Sequence, residues 1–246
     1  MSDLHDRLRG FWDRDAQIYD SSPSHALTDP VEASVWRAVL ARHLPIEASS
    51  VLDVGAGTGA MSLLAAELGH RVTALDLSPV MLSRAREKAE ARGFDLVTVV
   101  GSGDEPPAGP FDAVIERHVL WTTPEPVAAL EAWRKVAPTG RLILFEGLFA
   151  RDSLSWRARE TAAGAVQRLL GIPSGHHRHY EADLIASLPL ARAMSPAPLV
   201  RSVAQAGWRR IRIERLRDVE WARRMASHWL LGRLQAVPQF ALVAEA

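Results

Sequence analysis

The sequence predicts an α/β protein with a parallel sheet and a ligand site at the C-terminal ends of its strands. Three observations carry this. Short apolar runs at about 50–54, 71–75, 95–100, 111–115 and 141–146 alternate with helical periods near 60–68, 79–92 and 125–136. That alternation is the mark of βαβ units, whose crossovers are right-handed. The first run leads straight into a glycine-rich turn, Gly55-Ala56-Gly57-Thr58-Gly59, which opens a helix. Pro138-Thr139-Gly140 then punctuates the passage from the last of those helices into the fifth strand.

The flanks follow in order. Residues 1–45 read as helical and partly amphipathic, a lid on the core at 46–146. Asp29 is placed to N-cap a helix that starts at Pro30 and runs to His43, with Glu32 closing a capping box. After Glu146 the rhythm breaks. Residues 147–195 hold Trp156, a helical stretch to Leu170, a Gly-Ile-Pro-Ser-Gly turn and then His176-His177-Arg178-His179-Tyr180. A helix near 196–206 restores the pattern, and strands are expected at Ile211–Glu214 and Phe240–Val243 within the last segment, 196–246. Between them, 217–237 has helical character. Trp221, Met225 and Trp229 fall four apart on one face, a stripe expected to pack.

Composition narrows the function classes. A chain of 246 residues is enough for a single α/β domain with an added lid or cap. Basic and acidic residues balance at 29 each, which speaks against a broad nucleic-acid surface. No cysteine is present, so neither disulfides nor a thiolate zinc site can form. The polar start Met1–Asp6 lacks a signal-peptide core, and no apolar run approaches the roughly 18 residues of a membrane span. The expectation is a cytoplasmic protein with neither membrane nor nucleic acid as partner. Lys88 and Lys135 are the only lysines among many arginines and alanines, a GC-rich codon bias that favours a bacterium with specialised metabolism.

The glycine turn identifies the ligand. Glycines permit backbone angles that a Cβ forbids and let the main chain approach closely. The helix behind them directs unpaired N–H groups at the same spot. A dinucleotide fingerprint would read G-x-G-x-x-G. Here the spacing is G-x-G-x-G, and Asp53 precedes the first glycine by two residues. That carboxylate would repel a pyrophosphate and suit an ammonium group. Downstream, Arg71–Asp76 reads as a strand ending in an acid. Asp76 stands 21 residues beyond Gly55, where a second strand tip holds a ribose diol. One ligand with a ribose and an amino-acid tail satisfies both: S-adenosylmethionine.

These residues resemble the class I S-adenosylmethionine-dependent methyltransferases. Asp53-x-Gly55-x-Gly57-x-Gly59 matches their first motif, and Asp76-Leu77-Ser78-Pro79-x-Met81-Leu82 the segment after their second strand. The match is specific over roughly 45–146 and loose in the flanks. It implies a Rossmann-like, mostly parallel sheet of seven strands with the seventh antiparallel. It also implies an N-terminal helical lid and a cap insertion at 147–195. Asp53, Gly55, Ala56, Gly57, Thr58 and Gly59 would hold the methionine end of the cofactor, and Asp76 the ribose. Leu77, Met81 and Gly103 would border the adenine. Family members often carry Gly-Asp-Ala after the third strand; this chain has Gly101-Ser102-Gly103-Asp104, with Ser102 where the acid would stand.

The segment Glu116-Arg117-His118-Val119-Leu120-Trp121 is read as following the fourth strand, whose tip faces the sulfonium in this fold. It resembles an Arg-His-Val-Leu-Trp segment of bacterial small-molecule methyltransferases. Glu116 and Arg117 are candidates for the cofactor side and Trp121 for the acceptor side. His118 is the candidate general base, because an imidazole titrates near neutrality; a packing role beside the cofactor is the alternative. In related enzymes an N-terminal segment folds over the cofactor. Tyr19 there could orient the acceptor or contact the cofactor carboxylate, and Trp12 could line the acceptor pocket. His179 and Tyr180 of the cap are further acceptor-side candidates. Glu146, at the fifth strand's tip, could pair with an acceptor ammonium or simply bond to the backbone. The cluster His176, His177, His179 is not read as a metal site: adjacent histidines point to different helical faces, and no carboxylate triad or cysteine accompanies them.

Methyl transfer from a sulfonium needs alignment and exclusion of water more than a protein nucleophile. The expected reaction is N- or O-methylation of a small molecule, with carbon open and the oligomeric state unassigned. The rivals are a non-catalytic S-adenosylmethionine-binding protein, a tRNA or protein methyltransferase, and a nicotinamide dehydrogenase. No Asn-Pro-Pro-Tyr-type segment follows the fourth strand, so base amino-methylation has no direct support.

Overall fold

The computed structural model describes residues 2–148, 153–172, 188–191 and 195–246. Three helices come first: α1 (Ser2–Tyr19), the short α2 (Pro23–Ala26) and α3 (Pro30–His43). The alternating core follows as β1 (Ser50–Val54), α4 (Ala60–Glu67), β2 (Arg71–Asp76), α5 (Pro79–Ala91), β3 (Val97–Val100), β4 (Ala113–Arg117), α6 (Pro126–Val136) and β5 (Arg141–Gly147). The chain then passes through α7 (Leu154–Leu170), α8 (Pro196–Gln205), β6 (Arg209–Arg215), α9 (Arg217–Ala226), α10 (Trp229–Leu234) and β7 (Gln239–Glu245).

The strands form one sheet in the order β3-β2-β1-β4-β5-β7-β6. The first five are parallel, and β7 runs antiparallel between β5 and β6. The order reverses direction at β1, between β2 and β4. Open sheets of this kind bind ligands at that switch point, beyond the C-terminal strand ends.

Strand periodicity assigns side chains to two core layers. Val51, Val72, Ala74, Ile115, Ile143, Phe145 and Val243 pack under α3, α4 and α5. Their neighbours Leu52, Val54, Leu75, Val114, Leu142, Leu144 and Leu242 pack under α6 and α8. Because both faces are covered, the strands read as continuous apolar runs rather than alternating ones.

Several local expectations are corrected. The strand expected at 111–115 is displaced to Ala113–Arg117. Asp112 stands just before it: its backbone bonds to Ser50 O and the Arg141 amide, and its carboxylate accepts from the amide and hydroxyl of Ser50, each at 2.8 Å. Glu116 and Arg117 therefore end the strand instead of following it. The third strand starts at Val97 rather than 95. Asp29 does cap α3, accepting from the Glu32 amide at 2.8 Å. Glu32 does not close the box, however. Its carboxylate accepts from Ser24 Oγ at 3.1 Å and Arg223 Nε at 2.8 Å instead. Helix α3 is core rather than lid, with Trp36, Val39 and Leu40 fully buried. Trp221, Met225 and Trp229 do not pack inward; they are 48%, 65% and 66% exposed, while Val219 and Ala222 supply the buried face of α9. Among the described residues, no helix is long and apolar enough to cross a membrane.

Candidate active site

The floor of the site is the β1–α4 turn. Gly55, Gly57 and Gly59 all adopt positive φ, at 62°, 55° and 83°. Gly55 is required twice over, since a Cβ there would also collide with the Val119 side chain. A Cβ on Gly59 would come 2.9 Å from the Ala85 Cβ and wedge α4 away from α5. Asp76, at the tip of β2, joins this turn to the next. Its Oδ2 accepts from the Gly57 amide and its Oδ1 from the Ser78 amide, both at 2.8 Å. Ser78 in turn caps α5 by accepting from the Met81 amide at 3.1 Å.

The tip of β4 supplies the opposite wall. Glu116 is fully buried, and its Oε2 accepts from the Val119 amide at 2.7 Å. That bond shapes the turn carrying His118, whose φ of 62° lies in the left-handed region that non-glycine residues seldom occupy. The His118 amide donates to Phe145 O at 3.1 Å, and its Nδ1 lies 3.2 Å from Glu146 Oε2. Glu146 is itself buried. Burial and the neighbouring Glu116 charge push its carboxyl well above the usual range.

Helix α1 lies across the strand ends as a roof. Asp13 accepts from Ser78 Oγ at 2.5 Å. Just past the helix, Asp20 accepts from Thr58 Oγ1 at 2.6 Å and pairs with Lys88 at 2.7 Å. At the other end, His5 Nε2 sits 3.3 Å from Ser102 Oγ and 3.9 Å from Asp104 Oδ1. The cleft beneath the roof has about 780 Å³ of empty space, its open mouth included.

Of the residues expected at the site, Trp12, Tyr19, Gly55, Gly57, Asp76, Leu77, Met81, Ser102, Gly103, Arg117 and His118 line this cleft. Asp53, Ala56 and Thr58 line a small polar chamber that opens beside it and shares Tyr19, Gly55 and Arg117. Gly59, Glu116 and Glu146 stand behind the walls and act through their neighbours. Trp121 is turned into the apolar layer over α6 rather than toward the cleft. His179, Tyr180 and the cluster His176, His177 lie outside the described residues. Sequence reasoning missed His5, Leu8 and Val119 on the wall, and Asp13 and Asp20 behind it. The spacing His5, Leu8, Trp12 along one helical face was the available signal.

The chamber has an unusual charge pattern. Asp53 is buried, and burial raises its carboxyl to about 7 despite a 2.5 Å bond from Ser62 Oγ. Arg117 faces the same space; burial lowers its guanidinium. It is held by donating to Ser24 O and His25 O at 3.3 and 3.0 Å, and lies 5.6 Å from the Trp36 ring centre. Tyr19 closes the chamber with its ring stacked 4.3 Å from that of His25. A buried acid and a buried base facing one small polar space match an amino-acid zwitterion. Asp76, which burial raises to about 6, sits one strand further along, where a diol would donate to it. This donor and acceptor set fits S-adenosylmethionine.

Comparison with known proteins agrees. A family model described as "Methyltransferase domain" matches residues 52–144. A ubiquinone biosynthesis O-methyltransferase of Xanthomonas campestris pv. campestris is 32% identical over 193 residues, covering 77% of this chain and 75% of that one. The chain is a class I S-adenosylmethionine-dependent methyltransferase. A phosphatidylethanolamine N-methyltransferase of Cereibacter sphaeroides is 29% identical over 74% of this methyltransferase and 86% of its own length. The fold is shared with magnesium protoporphyrin IX methyltransferase of Synechocystis PCC 6803, solved with bound S-adenosylhomocysteine. That match has a TM-score of 0.58, 17% identity, and coverage of 98% and 99%. When bound, the cofactor supplies a methyl group already activated by a positive sulfur.

Proposed function

We propose that this methyltransferase acts on a hydroxyl group of a small molecule, within bacterial specialised metabolism, and that His118 is its general base. The observation that carries this is the His118–Glu146 pair on the cleft wall. A base is needed only where the acceptor is protonated at working pH, as a hydroxyl is. His118 serves as the base in the state in which Glu146 is ionised and accepts from Nδ1–H, which leaves the lone pair for the acceptor's proton on Nε2. With the cofactor bound as the source of the methyl group, His118 would take the hydroxyl proton that the acceptor oxygen gives up on methylation. Tyr19 and Arg117 would fix the methionine carboxylate, Asp53 its ammonium and Asp76 the ribose. The relative described as an O-methyltransferase supports oxygen; the N-methyltransferase relative makes an amine the outcome to exclude.

The test is a panel of phenols, alcohols and amines assayed by mass spectrometry for a methylated product. A hydroxyl acceptor is expected. His118→Ala should slow its turnover by about 10²–10⁴-fold while S-adenosylhomocysteine affinity stays within a few-fold. Methylation confined to amines would overturn the hydroxyl assignment, and a variant with unchanged turnover would remove the base from the mechanism.

A further inference from the structure

The order of the strand ends fixes the order of the cofactor's parts. The zwitterion chamber lies at β1, the diol carboxylate Asp76 at β2, and the base must therefore reach toward β3. The chain departs from the family pattern there, because Ser102 replaces an acid. At that end of the cleft the wall comprises Gly101, Ser102 and Gly103 from the loop, Met81 from α5, and His5 and Leu8 from α1. The Gly103 carbonyl already accepts from Trp133 Nε1 at 2.5 Å, so it is held outward. Leu8 and Met81 are apolar and buried, suited to the faces of a purine. Two polar side chains, Ser102 and His5, meet on that rim, with Ser102 Oγ and His5 Nε2 3.3 Å apart. Asp104 stands behind them, its Oδ1 buried and 3.9 Å from the same imidazole nitrogen.

We propose that His5, carried by the N-terminal helix, is a positioning residue that orients Ser102 and with it completes the adenine-reading edge of the cofactor site. This rests on the cofactor assignment above and deepens it. The Ser102 hydroxyl gives its hydrogen to His5 Nε2 and turns its lone pairs to the exocyclic amino group of the adenine. A serine oxygen is a weaker acceptor than a carboxylate, and the bond to His5 fixes its rotor. The chemical class recognised is a 6-aminopurine. A consequence distinguishes this chain from a site read by a loop acid alone: discrimination between purines depends on α1 being docked.

The experiment is calorimetric titration with S-adenosylhomocysteine and with its inosine analogue, whose 6-amino group is replaced by a carbonyl. Wild type, His5→Ala, His5→Gln, Ser102→Ala and Asp76→Ala are compared. Wild type should prefer the amino ligand by about tenfold or more, one good hydrogen bond's worth. His5→Ala and Ser102→Ala should each reduce that preference to within about twofold, mainly by weakening the amino ligand. His5→Gln, which keeps a polar group near Ser102, should recover part of it. Asp76→Ala should weaken both ligands alike and leave the ratio intact. If His5→Ala weakens both ligands equally with the preference retained, the residue only props the helix and the proposal falls. It also falls if His5→Ala changes nothing. Failure of wild type to bind either ligand would overturn the cofactor site itself, and this inference with it.

Discussion

Asp53 and Asp76 illustrate how burial makes single residues pH-dependent. Each has a carboxyl raised by desolvation, to about 7 and about 6. Glu116 joins them at about 8 for the same reason. Without ligand, the native state binds protons that the unfolded chain releases, so stability is lost as pH rises through 6–8. His43 and His70 are lowered by burial, and their protonation acts at pH values below about 6.5. Between pH 8 and 6.5, then, the ligand-free melting temperature should rise as pH falls, and Glu116→Gln should flatten the trend. Cofactor binding has the opposite sign. An ammonium and a diol favour the charged carboxylates, so affinity should weaken toward acid. Titrations at pH 7 in buffers of different ionisation enthalpy should show protons released on binding; no buffer dependence would mean the acids are already ionised. Gly55 is the residue at which geometry rather than charge decides. Gly55→Ala meets both the Val119 clash and a φ of 62°, a cost on the order of 1–3 kcal/mol for the backbone alone. Gly55→Ala with Val119→Ala should recover part of the lost melting temperature and not all of it.

Helices and turns were legible where the signal is local. Asp29 and Pro30 announced α3, and Asp29→Ala should cost about 1 kcal/mol in chemical denaturation. The β1–α4 turn was legible because its glycines and both acids sit within one βαβ unit. The β4 boundary was not, because pairing with β1 and β5, both distant in sequence, sets where the strand begins and ends. Glu32 was half legible: its spacing from Asp29 signals a capping box, but Arg223, from the other end of the chain, draws the carboxylate away. The Trp221 stripe failed for a different reason. Period gives which residues share a face and not which face is covered, and here Val219 and Ala222 lie inward. Within α3, Trp36 meets Phe145 edge-on at 5.4 Å and lies under both Arg117 and Arg223. Trp36→Ala should cost about 3–5 kcal/mol. Because it also loosens Arg117, S-adenosylhomocysteine affinity measured on the folded fraction should drop as well.

At the scale of the whole molecule, the fold class and sheet order follow from the alternation and the glycine turn, since right-handed crossovers leave few topologies. The roof over the cleft does not follow. His5 and Ser102 are 97 residues apart, Asp13 and Ser78 are 65 apart, and no local pattern links them. These bonds tie α1 to the loops that hold the cofactor, so ligand and helix should be thermodynamically coupled. Hydrogen exchange in α1 should slow when S-adenosylhomocysteine binds, more than in α8 on the far face; equal protection would show a rigid roof. The sheet's margins have a consequence of another kind. One border strand, β3, has only four residues, and the other, β6, presents Arg209, Arg210, Arg212 and Arg215 along an exposed ribbon. A short rim and a cationic rim are both poor templates for a strand from another molecule. Edge-to-edge pairing with a second copy of the chain is thereby disfavoured at both borders of the open sheet.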